Sequence, residues 1–330
     1  MNLKEEINYS IWCDFIEREF LETGFKDLVT DHIIFGATSN PAIFEQSITS
    51  SEAYTQQMNM LQANGNKKIY EELAITDIKT AASVLRPLYE KNANDGFISF
   101  EVDPNFCDDA QLTIEEGIRL HKQIACDNLM IKVPATQAGY AAMEELTSLG
   151  INVNATLIFS VEQAISSAQA LNNGITKSGK DTKSVVSIFV SRFDRALDEI
   201  IKSKGLETSK VGILNATKCY HEIEKFNNNN IRTLFASTGV KGNELNPSYY
   251  IDNLIFNNSI NTAPLATIKD WLINDSKIKS KITSEDDCDE YFRTLEKRNI
   301  NIDQVAKQLL QEGLNAFKIS FEELLKKVKL

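Results

Sequence analysis

The sequence predicts an α/β protein on a parallel sheet of about eight strands, open or closed into a barrel. Short strand-like runs alternate with helical stretches along most of the chain, the pattern of repeated β-α units. Five of those runs carry a row of polar residues on one face. No linker or low-complexity break divides the 330 residues; the nearest candidate is the polar stretch 226–230, with four consecutive asparagines. Barrels of this class exceed ~200 residues as single domains. One domain over 1–330 is therefore expected, with 270–330 as a helical extension packed on it.

The elements follow in order. Residues 10–15 form a short apolar run, and 16–28 read as helix. Residues 33–38 are the next strand, followed by helical sequence over 51–91 that is most amphipathic at 79–89. A strand at 97–102 precedes a helix at 109–125. The strand 129–134 leads to a helix over 137–149, ended by Gly150. Then come strand 153–159 with helix 161–172, and strand 185–193 with helix 194–203. A helix at 210–225 precedes the strand 233–237, and 261–266 is a last short strand. Residues 275–300 are polar and without a clear period. Residues 302–328 read as helix, with Ile302, Val305, Leu309, Leu310, Phe317 and Leu324 as its apolar positions.

Strands of a sheet covered on both faces should be almost wholly apolar. Side chains alternate between faces with period two, and here one face is polar. Asp14 shares a face with Trp12. Ser99, Glu101 and Asp103 oppose Ile98, Phe100 and Val102. Lys132 opposes Ile131 and Val133. Asn152, Asn154 and Thr156 oppose Val153, Ala155 and Leu157. Ser187 and Ser191 oppose Ile188 and Val190. Two arrangements accommodate this: an amphipathic sheet with one face in water, or a closed barrel whose interior polar groups converge on one mouth.

Lys132 is the sharpest residue, because the middle of a strand is a costly place for an ammonium group. It is either a structural lysine, ion-paired or snorkelling to the surface, or a nucleophile. An ordinary lysine amine is neutral in about one part in a thousand near pH 7.4. Desolvation inside a barrel favours the neutral form, which adds to ketones.

The net charge of −11 argues against nucleic-acid and anionic-membrane partners but leaves room for a small phosphorylated ligand. Five cysteines without a C-x-x-C pair suit reduced thiols in an intracellular protein. No signal peptide is read at the start, and no run approaches the ~18 apolar residues of a membrane span. A soluble, cytoplasmic protein is expected. The three histidines, His32, His121 and His221, are far apart, and the HEIE run at 221–224 reads as a solvated helix face rather than a metal site.

The segments SIWCDF (10–15), GATSNPAIF (36–44), ISFEVDP (98–104), NLMIKVPAT (128–136), GINVNATLIFS (150–160), SIFVSRFD (187–194) and FASTGVKG (235–242) resemble, in order, those of the transaldolases, specifically their longer bacterial branch. The resemblance implies a (β/α)8 TIM barrel of the class I, Schiff-base aldolase type. It implies transfer of a dihydroxyacetone unit between sugar phosphates, with neither cofactor nor metal, in a monomer or homodimer. It makes Lys132 the Schiff-base lysine, Asp14 the acid/base carboxylate and Glu101 the second carboxylate, with Thr156 holding a catalytic water. Asn40 and Asn154 match contacts to substrate hydroxyls or the Schiff-base region. Ser187 and Arg192 match substrate and phosphate contacts on strand six, and Ser237 lies in the next phosphate-binding segment. Shorter members carry an arginine after strand seven, where this chain offers only Lys241. Each residue also has a plainer reading. Asp14 can cap the following helix, Asn40-Pro41 can start one, and Glu101 or Asp103 can pair with Lys132. Ser187 can fill the barrel, and Arg192 can form a surface ion pair. Rival functions are an aldolase that releases its triose and a silent sugar-phosphate-binding barrel.

Overall fold

The structure, a computed structural model, describes residues 3–92, 94–242, 244–273 and 279–328. Among these, eight parallel strands close into one barrel in sequence order: β1 (Ser10–Cys13), β2 (Gly36–Thr38), β3 (Phe97–Glu101), β4 (Leu129–Pro134), β5 (Asn152–Ile158), β6 (Ser184–Phe189), β7 (Ile231–Ala236) and β8 (Ser259–Ala263). Closure leaves no unpaired edge, and of the two arrangements the polar rows allowed, the closed barrel is the one observed. No described helix is long and apolar enough to cross a membrane, and the five cysteines are free.

The register keeps the polar rows in phase. Glu101 pairs with Lys132, Lys132 with Asn154, Pro134 with Thr156, and Ser187 with Leu234. The lower interior is an apolar plug of Trp12, Phe97, Met130, Val185, Leu234 and Ile260, all buried. Gly36 makes room for it: a Cβ there would lie 2.5 Å from the Trp12 indole. Beneath the plug, the buried Arg232 is bound by Asp95, Ser10 and the carbonyls of Asn8, Asn94 and Ser259. The plug separates this cluster from the polar residues at the other end of the barrel, where the strands end.

Three expectations need correction. Residues 16–28 are not one helix but two, Arg18–Glu22 and Gly24–Thr30. Strand six ends at Phe189 instead of Phe193, and a helix already runs over Ser191–Ser203; Arg192 therefore sits on a helix and not on strand six. A continuous apolar run cannot by itself distinguish a buried strand from the start of a buried helix. The polar stretch 275–300 contains the helix Glu285–Lys297, capped by Ser284 through Asp287 N; residues 274–278 lie outside the described set. Helix Ile302–Lys327 packs on helix Pro41–Ser50 and reaches across the barrel mouth.

Asp194, in the helix after β6, is 1% exposed. It accepts bonds from Gly212 N and Tyr250 Oη, both at 2.9 Å. Burial pushes its carboxyl up to about 7. The folded chain thus holds this proton well above the ~3.9 of an unfolded aspartate, so the contribution to stability is complete below about pH 4 and is lost as pH rises through 7. Asp194→Asn keeps both partners and should flatten that decline, so that wild type loses ~2 kcal/mol more than the variant between pH 5 and 8 in urea unfolding. Equal losses would refute the assignment.

Candidate active site

Lys132 projects from the centre of β4 into the barrel and is 5% exposed. Its Nζ lies 2.9 Å from Glu101 Oε1 across the β3–β4 pair and donates to the Ser39 carbonyl at 2.9 Å. Of the two carboxylates offered as structural partners for this lysine, only Glu101 takes that place. Asp103 leaves the barrel, caps the short turn Pro104–Phe106 and pairs with Lys67 at 2.7 Å. Burial pushes the Glu101 carboxyl up to about 7, with Lys132 pulling down and Asp14 adding a smaller upward push. A carboxyl raised in this way is a better acceptor for the proton of a neighbouring ammonium group.

Asp14 follows β1, its N–H fixed on the Ala263 carbonyl of β8. Thr38 Oγ1 donates to Asp14 Oδ1 at 2.6 Å and also meets Thr262 Oγ1 at 2.7 Å. Burial raises the Asp14 carboxyl above the usual carboxylate range, against the pull of Lys132 and of the Thr38 bond. Asp14 does not cap the following helix; Glu17 does, accepting from Glu19 N and Phe20 N. Asn40, by contrast, is both cap and lining: its Oδ1 accepts from Ile43 N, and the residue borders the pocket.

On β5, Asn154 is fully buried. Its Nδ2 donates to Ser99 Oγ at 3.0 Å, and its Oδ1 accepts from Ser187 Oγ at 2.6 Å. Thr156 lies within a register shift between Ala155 and Ile158, with Leu157 at φ 58°. A left-handed leucine costs about 1 kcal/mol or more, and the bulge marks the point where the strand turns out of the ladder beside the lysine. Thr156 Oγ1 and Glu101 Oε2 are both buried without a hydrogen-bond partner in the chain.

A pocket of about 470 Å³ opens above these groups. Eight of the ten residues selected from the sequence line it: Asp14, Asn40, Lys132, Thr156, Ser187, Arg192, Ser237 and Lys241. Glu101 lies behind Lys132, in a narrow cleft shared with Thr156. Asn154 sits below, positioning Ser187. Ser237 is held at φ 56° with its Oγ 3.1 Å from that of Ser191.

At the rim, no ion pair joins Arg192 to a carboxylate among the described residues; its guanidinium lies 5.3 Å from the Phe189 ring and 6.0 Å from that of Phe159. Burial and the neighbouring Arg195 lower its proton affinity, against a smaller pull from Glu312. Arg195, one helical turn on, also lines the pocket. It was missed because its spacing from Arg192 matters only once residues 191–195 are helical. Phe317 on helix Ile302–Lys327 was read only as an apolar helix position; it too lines the pocket, 6.0 Å from Lys132 Nζ.

A closed parallel barrel with a buried lysine beside two carboxyls at its mouth is the architecture of enzymes that work through a lysine imine. The family profile described as Transaldolase/Fructose-6-phosphate aldolase matches residues 11–328, and the chain belongs to that family. It is 45% identical over 318 residues to a protein named Transaldolase from Helicobacter pylori (strain P12), covering 96% of this chain and 98% of that one. It is 44% identical over 330 residues to one of the same name from Campylobacter jejuni subsp. jejuni serotype O:23/36 (strain 81-176), covering 97% and 99%.

Proposed function

We propose that this chain is a transaldolase: it moves a dihydroxyacetone unit from fructose 6-phosphate or sedoheptulose 7-phosphate to an aldose phosphate, in the non-oxidative pentose phosphate pathway. The observation that carries the reading is the Lys132–Glu101 contact at 2.9 Å inside the barrel, with Asp14 at the adjoining pocket wall. Transfer of the ammonium proton to Glu101 frees the amine, which adds to the ketone carbon C2. Glu101, through a water held by Thr156, protonates the departing hydroxyl of the carbinolamine to leave an iminium. The two unpartnered oxygens of Glu101 and Thr156 support that bridge. Asp14 takes the C4 hydroxyl proton, the C3–C4 bond breaks, and its electron pair passes into the iminium to give an enamine while an aldose phosphate leaves. A second aldose phosphate enters and the steps reverse. Residues 1–330 act as one domain, with 270–330 as its extension, in a cytoplasmic monomer or homodimer.

Trapping tests the reading. Borohydride with fructose 6-phosphate should fix a dihydroxyacetone-derived mass on the peptide containing Lys132, and product should form in quantity only with an aldose acceptor. Trapping on another peptide, or none, refutes the Schiff base; fast triose release without acceptor favours an aldolase.

Arg192, Arg195 and Lys241 face the pocket as phosphate ligands. Arg192→Ala should raise KM for fructose 6-phosphate roughly tenfold with a smaller change in kcat, as for loss of one charge-assisted pair. An unchanged KM removes Arg192 from the phosphate site.

A further inference from the structure

The enamine on Lys132 has two fates. It can add to an acceptor aldehyde. Alternatively, its carbon takes a proton and water then hydrolyses the iminium, so that one water is consumed, free dihydroxyacetone is released and the amine is regenerated. A transferase must suppress the second route while aldose phosphates exchange through an open mouth.

Lys132 Nζ is held by the Ser39 carbonyl and the Glu101 carboxylate, each at 2.9 Å. The Phe317 ring stands over it at 6.0 Å and borders both the main pocket and the narrow cleft holding Glu101 and Thr156. The helix that carries it is firmly seated. Phe321 packs edge-on against Tyr70 at 5.6 Å, and Lys327 pairs with Glu45 and Lys318 with Asp108. At Gly313 a Cβ would come within 3.0 Å of Leu157 Cδ2. These contacts hold an aromatic ring, and not a solvated loop, above the reacting nitrogen.

We propose that Phe317 is a positioning residue that keeps the enamine dry and thereby sets the ratio of transfer to hydrolysis. The proposal rests on the Schiff-base reading, so wild type is first trapped with borohydride; failure there sinks that reading and the proposal with it, whereas failure of the ratio test below sinks the proposal alone. With trapping established, free dihydroxyacetone and transferred product are quantified for wild type, Phe317→Ala, Phe317→Gln and Phe317→Leu, with circular dichroism to verify folding. Alanine and glutamine should raise the hydrolysis-to-transfer ratio on the order of tenfold, since both admit water. Leucine keeps an apolar cover and should stay within about twofold of wild type. An unchanged ratio in whichever of the first two folds, or an equal leak from leucine, overturns the proposal. A purely structural role would lower both rates together and leave the ratio fixed.

Discussion

Lys132→Met is expected to abolish transfer, by on the order of 10⁴-fold or more, because the covalent route disappears with the amine. Methionine reproduces the unbranched stem of the side chain, one atom short, and fills most of the same narrow space between β3 and β5. Glu101 would lose the cation that pulls its carboxyl down, while burial and Asp14, which push it up, remain. It would then keep its proton near neutrality, and a neutral buried acid costs far less than an uncompensated charge. The variant should therefore fold, with a circular dichroism spectrum like that of wild type, take up no mass on borohydride treatment and show no product in a coupled assay. Activity within tenfold of wild type would move the chemistry to another amine.

The largest effect on stability is expected from Arg232→Leu, at the opposite end of the barrel. Arg232 is 3% exposed and spreads its donors over Asp95, Ser10 and four backbone carbonyls drawn from three separate segments. Removing it strands those carbonyls and leaves Asp95 with Lys4 as its remaining cation. Loss of one partner from a buried pair costs about 3–5 kcal/mol, and the largely buried Lys4 beside Asp95 offsets some of it, so ~3 kcal/mol is the expected loss in urea unfolding. Adding Asp95→Asn should recover part of the deficit, because the stranded charge goes with it. A single-variant loss under ~1 kcal/mol would mean that water, and not Arg232, satisfies that end.

Much of the site could be read from the sequence because period-two alternation is rigid inside a barrel. Glu101, Lys132, Asn154, Thr156 and Ser187 point inward because the apolar residues between them must face the helices. Alternation fails where a strand stops, and nothing in ISFEVDP marks Glu101 as the last ladder residue, so Asp103 was placed inside although it turns outward to Lys67. The same uncertainty at the end of β6 hid the helical spacing of Arg192 and Arg195. Arg232 went unnoticed because it lies at the first inward position of β7, ahead of the stretch that reads as strand. Helix Glu285–Lys297 was illegible because its buried face consists of little more than Cys288 and Leu295, too sparse a stripe to register as a period. Phe317 could be assigned to a helix but not to the lysine, since a contact across 185 positions leaves no local trace.

The helix bearing Phe317 follows all eight strands in the chain, so the order of synthesis separates two events. On the ribosome the strands through Ala263 can close around the Trp12 plug before residues 302–327 have been made, as N-terminal parts generally fold first. A nascent barrel would then expose its amine to surrounding carbonyl compounds until the covering helix arrives. Chains arrested before and after that segment, tested for borohydride-fixed adducts, would show whether newly made enzyme passes through such an unguarded interval.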